Sequence, residues 1–187
     1  MRILHCMNQL MDCLPVEGDV CECGVSSGAN TFPLSDMVKT WNKKYAVQKR
    51  VYACDTFAGL PYDDQIVQEK MHRLGEFNFG NNFKIIQSQR QDLPIERIEG
   101  LVEDTLPLML ISLSFCFVFL DMDLYKPTKF ALEFFQERMN LGGIIGLHDY
   151  GWERCPGVEM AVKEVLDTKR YQQVFFKDYT IFFKRIA

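Results

Sequence analysis

The sequence predicts an α/β fold: a mostly parallel sheet of seven strands, with an antiparallel last strand and helices on both faces. Three observations carry that expectation. Apolar segments of strand length alternate along the chain with segments of helical spacing, the pattern of a parallel sheet with helical crossovers. The run Phe115–Asp121 (FCFVFLD) is apolar until its last residue, as a strand buried on both faces should be. The segments Tyr171–Lys177 and Thr180–Arg185 flank a turn at Asp178 that is too short for a crossover, so they form an antiparallel hairpin.

In chain order, residues 2–14 set Leu4, Met7, Leu10, Met11 and Leu14 at helical spacing. Asp19–Gly24 is the first strand. Ala29–Trp41 is a helix with Phe32, Leu34, Met37, Val38 and Trp41 at its apolar positions. Arg50–Asp55 (RVYACD) is the second strand, and Thr56–Asp64 a loop rich in Gly, Pro and Asp. Helices are expected near 65–75 and 82–91, then a short third strand over Ile95–Val102. Phe115–Asp121 is the fourth strand, Thr128–Asn140 a helix, and Gly143–His148 (GIIGLH) the fifth strand. A helix over 157–168 precedes the hairpin, whose Val174, Phe176, Ile181 and Phe183 are expected partly in the core. No repeat or Pro/Gly/Ser-rich linker divides the chain. Residues 1–187 therefore read as one domain, with 1–18 an N-terminal helical segment and 19–187 the core.

Hydrophobic residues make up 48% and charged residues 25%, a soluble globular composition. A net charge of −4 argues against a nucleic-acid partner held by a broad basic surface. No apolar run reaches the roughly 18 residues of a membrane span. The opening MRILHCMNQLMDCL has no basic region followed by an apolar block, so no signal peptide is expected. Seven cysteines, none in a CxxC pair, read as reduced thiols of a cytoplasmic protein. A homo-oligomer is left open.

Ligands of such sheets bind beyond the carboxyl ends of the strands. Those ends fall at Gly24, Asp55, Glu99-Gly100, Asp121 and His148-Asp149, so polar residues gather along one edge of an apolar sheet. At the first corner, DVCECGVSSGANT, Gly24 permits a turn and Gly28 a close helix approach. The free N–H groups there suit an anion or carboxylate, or else the loop is a tight turn with no ligand. CGVSSGAN is not G-x-G-x-x-G, which weakens a dinucleotide reading. Asp55 suits a ribose diol, or caps the TFAGLP turn. His148 and Asp149 follow Asp121 by 27 and 28 residues, at strand tips that can share one ion; His148 is otherwise a structural histidine. Asp123 is a further oxygen donor or a helix cap. His72 is a base in a lid segment or an exposed helix residue, and Gly151–Gly157 walls a pocket or simply connects.

Together these parts resemble a class I S-adenosylmethionine-dependent methyltransferase of Rossmann-like fold. Four segments narrow the match: GDVCECGVSSGANT, YACDTFAGLP, GLVEDTLP and FLDMDLYKPT…LGGIIGLHDYGWERCPGVEMAV. Their order and wording are similar to the macrocin O-methyltransferase family, which methylates sugar hydroxyls in antibiotic pathways. The resemblance implies that Glu22, Gly24, Ser26, Gly28 and Thr31 line the methionine end of S-adenosylmethionine. Asp55 would then hold the ribose with Phe57 nearby, and Glu99 and Gly100 would lie near the adenine. It also implies a divalent cation at the fourth and fifth strand tips. Here the ligand set would be Asp121, His148 and Asp149, with His148 standing where the family has a carboxylate. Imidazole suits manganese better than magnesium. The partner would be a small-molecule hydroxyl acceptor, deprotonated by Asp121 or His148. Two other readings stand beside this one: an NAD- or nucleotide-dependent enzyme on a doubly wound sheet, and a non-catalytic cofactor-binding module.

Overall fold

The computed structural model describes residues 2–61 and 73–187. Its elements are α1 (Arg2–Cys13), β1 (Asp19–Cys23), α2 (Thr31–Tyr45), β2 (Val51–Asp55), α3 (Gly80–Gln89), β3 (Ile95–Glu99) and α4 (Val102–Met109). They continue as β4 (Phe115–Leu120), α5 (Tyr125–Gln136), β5 (Met139–Leu147), α6 (Pro156–Val165), β6 (Tyr171–Lys177) and β7 (Thr180–Arg185).

The seven strands form one sheet in the order β3-β2-β1-β4-β5-β7-β6. β1 to β5 pair in parallel, whereas β7 runs antiparallel to both β5 and β6. Chain order reverses between β1 and β4, so a crevice opens between their carboxyl ends.

Two apolar layers clamp the sheet, as the period of two along each strand requires. Cys21, Cys23, Val118, Leu120 and Leu147 face α4, α5 and α6. Val20, Phe117, Phe119, Ile144 and Phe182 face α1 and α2, where Cys6, Leu10 and Cys13 form the buried stripe of α1. All six residues of β4 are buried, which explains its continuous apolar run. Burying each of its phenylalanines contributes about 1.5–3 kcal/mol. A third cluster packs Phe83 of α3 against Phe32 and Phe57 under the first corner.

Several boundaries differ from the sequence expectation. The third strand stops at Glu99, and Val102–Met109 is a helix that the sequence reading missed. Its first turn carries Glu103 and Asp104, acids that favour a helix N-terminus, while Pro107 inside it masks the pattern. α5 begins at Tyr125 with Pro127 in its first turn, and β5 begins at Met139, before the Gly142-Gly143 pair that looks like a turn. In the hairpin, Ile181 and Phe183 are buried but Val174 and Phe176 are exposed. The register slips between Gln173 and Phe175, so Val174 is an extra residue and the alternation inverts beyond it. Of the helix expected near 65–75, residues 73–75 are not helical; the rest, with His72, lies outside the described residues.

Candidate active site

The corner after β1 is fixed by backbone contact. Gly24 has φ +84°, and a Cβ there would lie 1.9 Å from the carbonyl oxygen of Asp121. Only glycine lets the β1 and β4 tips approach so closely. Two amide bonds lock this junction: Gly24 N–H donates to Cys54 O (3.0 Å), and Asp121 N–H to Cys23 O (2.8 Å). Asp55, at the tip of β2, braces the same corner. Its Oδ2 accepts the Ser26 N–H and its Oδ1 the Phe57 N–H, each at 2.8 Å. Oδ1 also accepts from Thr56 Oγ1 at 3.4 Å, whereas Oδ2 takes the Ser26 N–H alone and keeps acceptor capacity for a ligand. Ser26, Asp123 and Asp149 hold left-handed φ of 53°, 63° and 59°, unusual for residues with a Cβ and concentrated at the strand tips.

Beyond these tips lies a cavity of about 370 Å³, the size of a small-molecule site. Gly24, Ser26 and Asp55 line one part; Asp121, Asp123, His148 and Asp149 line another. Ligand atoms of Asp121, His148 and Asp149 all lie within 4.8 Å of one another, as do those of Asp123, Asp149 and Cys155. His148 Nδ1 meets Thr180 Oγ1 at 3.1 Å, and its Nε2 lies 3.3 Å from Asp149 Oδ1. Burial lowers the His148 pKa, against the pull of Asp149, and favours the neutral imidazole. The carboxyls shift the opposite way. Burial raises Asp121 to about 6 against the opposing Arg2. Burial, with Asp121 and Asp149 alongside, raises Asp123 to about 9. Burial also raises Asp149. Arg2, from the first turn of α1, donates Nη1–H to Asp121 Oδ2 at 2.5 Å. Burial is the leading cause of all three upward shifts, and Arg2 opposes them; oxygen donors gathered beside an imidazole form a set that fits a divalent ion.

A family model described as macrocin O-methyltransferase (TylF) matches residues 2–177, most of the chain. The chain belongs to the macrocin O-methyltransferase family. A relative from Streptomyces olivaceus is 29% identical over 155 residues, which cover 75% of this chain and 56% of that protein. It is an 8-demethyl-8-(2,3-dimethoxy-alpha-L-rhamnosyl)-tetracenomycin-C 4'-O-methyltransferase. The chain thus spans little more than half the length of that relative. Among solved structures, the calicheamicin methyltransferase CalS11 superposes with a TM-score of 0.84 at 19% identity, over 98% of this chain and 78% of that one. The O-methyltransferase NovP superposes with a TM-score of 0.75 at 20% identity, over 100% of this chain and 80% of that one. At these identities the likeness shows the fold.

In this macrocin O-methyltransferase family member, Gly24, Ser26, Asp55, Gly100, Asp121, His148 and Asp149 come together around one cavity. Five other residues singled out in the sequence do not line it. Glu22 is buried on the α1/α2 face of the sheet and accepts a hydrogen bond from Thr31 Oγ1 at the start of α2. Gly28 faces the Phe32 ring, 2.3 Å from where its Cβ would sit. Phe57 packs in the third apolar cluster. Glu99 is exposed and pairs with Arg97 and Lys84. Sequence reasoning missed Arg2, Met122 and Glu103 of the cavity wall. The acids of α4 gave a usable signal for Glu103; nothing in the local pattern of α1 marked Arg2. Trp152 lines the cavity, so Gly151–Gly157 contributes one wall residue. Among the described residues, no helix is long and apolar enough to cross a membrane.

Proposed function

We propose that the chain is an S-adenosylmethionine-dependent O-methyltransferase acting on a hydroxyl of a small molecule, a sugar of a natural product, with a divalent cation in the site. One observation carries this reading. In a member of this family, a single cavity joins a glycine corner and a braced carboxylate, Asp55, to a cluster of acids and an imidazole. Gly24, Ser26 and Asp55 would hold the cofactor, with Asp55 accepting from the ribose diol. When bound, S-adenosylmethionine supplies an electrophilic methyl group on a sulfonium. Asp121, His148 and Asp149 would hold the cation, which lowers the pKa of a coordinated hydroxyl.

The chain's own residues then orient the acceptor hydroxyl and take its proton. Asp123 is the group best suited to accept it. Its carboxyl lines the same cavity, and burial beside Asp121 and Asp149 pushes its pKa up to about 9, so its ionised form is a good proton acceptor. A positive charge in the cluster favours the ionised form that does this work. Asp121 and His148 are a second choice for the base, because Arg2 occupies Asp121 while Thr180 and Asp149 hold the ring of His148. Holding the acceptor in line is the larger share of the rate gain. Trp152 and Met122 supply apolar wall that excludes water.

The test is transfer of a labelled methyl group from S-adenosylmethionine to a panel of free, nucleotide-linked and glycosidic deoxysugars. Labelled ether product supports the reading. No calorimetric binding of S-adenosylmethionine or S-adenosylhomocysteine would overturn it.

A further inference from the structure

We propose that Arg2 forms a carboxylate-binding subsite, which takes the α-carboxylate at the amino-acid end of S-adenosylmethionine and of its product. The inference rests on the cofactor reading above.

The cavity wall poses an electrostatic problem. Asp55, Glu103, Asp121, Asp123 and Asp149 all line it. A zwitterionic amino-acid group entering there brings one more carboxylate, in a partly buried place where solvent screens little. Among the described residues lining the cavity, Arg2 is the one arginine or lysine. Its guanidinium spends one N–H on Asp121 Oδ2. A guanidinium carries five N–H donors in a planar fork that matches a carboxylate, so capacity remains for a ligand. The side chain is 36% exposed, hence reachable.

Position agrees with charge. The strand order runs β2-β1-β4, with Asp55 at the first tip and Asp121, the partner of Arg2, beyond the last. A ligand anchored by its ribose at Asp55 and passing Gly24 extends its other end toward Arg2. The arginine is delivered by a fixed element: Cys6, Leu10 and Cys13 of α1 are fully buried. The neighbouring His5 is pinned by Asp178 at 3.2 Å and by the Phe175 ring at 4.7 Å. A long side chain on an anchored backbone is preorganised for binding.

The experiment is calorimetric titration of wild type, Arg2→Gln and Arg2→Lys with two ligands. One is S-adenosylhomocysteine and the other its decarboxylated analogue, which keeps the ribose, adenine and ammonium. Wild type should bind S-adenosylhomocysteine about tenfold or more tightly than the analogue, the worth of a charge-assisted pair. Arg2→Gln should close that gap by weakening S-adenosylhomocysteine alone, and Arg2→Lys should keep part of it. Melting curves confirm that each variant is folded, and Arg2→Lys carries the test if Arg2→Gln is not. An undiminished gap in Arg2→Gln, or equal losses for both ligands, overturns the subsite and leaves Arg2 a counter-ion of Asp121. A wild type that binds neither ligand overturns the cofactor reading itself.

Discussion

Asp55 shows how one side chain serves both shape and binding. Both its oxygens already brace the corner through the Ser26 and Phe57 N–H groups, and the residue lines the cavity, with Oδ2 still able to accept. Asp55→Ala should therefore weaken S-adenosylmethionine at least tenfold, since each charge-assisted bond is worth about 1.5–3 kcal/mol. Calorimetry on the folded variant checks this, and unchanged affinity would remove Asp55 from the ribose. Glu22 makes a different kind of statement. Burial lifts its pKa to about 8, opposed by the Thr31 hydroxyl. For an acid whose folded pKa lies above its unfolded value, the native state binds more protons, so stability falls as pH rises between the two. Below about 4.5 both states are protonated and nothing is lost; above about 8 the penalty is complete, on the order of 5 kcal/mol at most. Glu22→Gln should accordingly stabilise the ligand-free protein, by a margin that grows from pH 5 to pH 8 and then levels. Denaturant midpoints across that range measure it. A margin that does not change with pH would mean that the native carboxylate stays ionised. The sequence exposed an acid inside an apolar strand, yet its burial on the helix face rather than the cavity face depended on which residues pair across the sheet.

At the scale of elements, legibility followed the strength of the local signal. The bounds of β6 and β7 match the sequence expectation because a two-residue turn separates two alternating runs. The β3–α4 boundary did not, because Val102 continues an apolar strand pattern and Pro107 interrupts a helical one. The bulge at Val174 was invisible for another reason: an extra residue alters pairing without altering composition. That bulge separates two aromatic residues of the hairpin. Phe182 is fully buried against Phe117 and Phe119, whereas Phe176 is 51% exposed. Phe182→Ala should cost about 3–5 kcal/mol in urea unfolding, while Phe176→Lys, which loses one edge contact with the Tyr150 ring, should cost no more than about 1.5 kcal/mol. Comparable losses at both positions would contradict this register. Likewise, the strand tips that carry Asp55, Asp121 and Asp149 were legible because polar residues end apolar runs. Arg2 was not, because nothing in a helix stripe tells where its first side chain will reach.

The donors of the proposed cation site, Asp121, His148 and Asp149, come from the tips of two separate strands, so the assembled sheet would set its ion preference. With His148 among the acids, manganese should support turnover better than magnesium, and His148→Asp should return preference to magnesium. Turnover with each ion and in chelator tests this, and undiminished turnover in chelator would remove the cation from the reading. The junction of the β1 and β4 tips has a temporal consequence as well. Its partners, Gly24 and Asp121, lie almost a hundred positions apart in the chain, so their contact is paid for in loop-closure entropy before it returns anything. During synthesis, β1 has an open flank until β4 emerges, and an unpaired strand flank invites other chains. No nascent chain shorter than β4 can assemble the Gly24–Asp121 corner, so a ribosome-bound intermediate holding only the first half of the sheet should be ligand-blind and adhesive until the ribosome delivers residue 121.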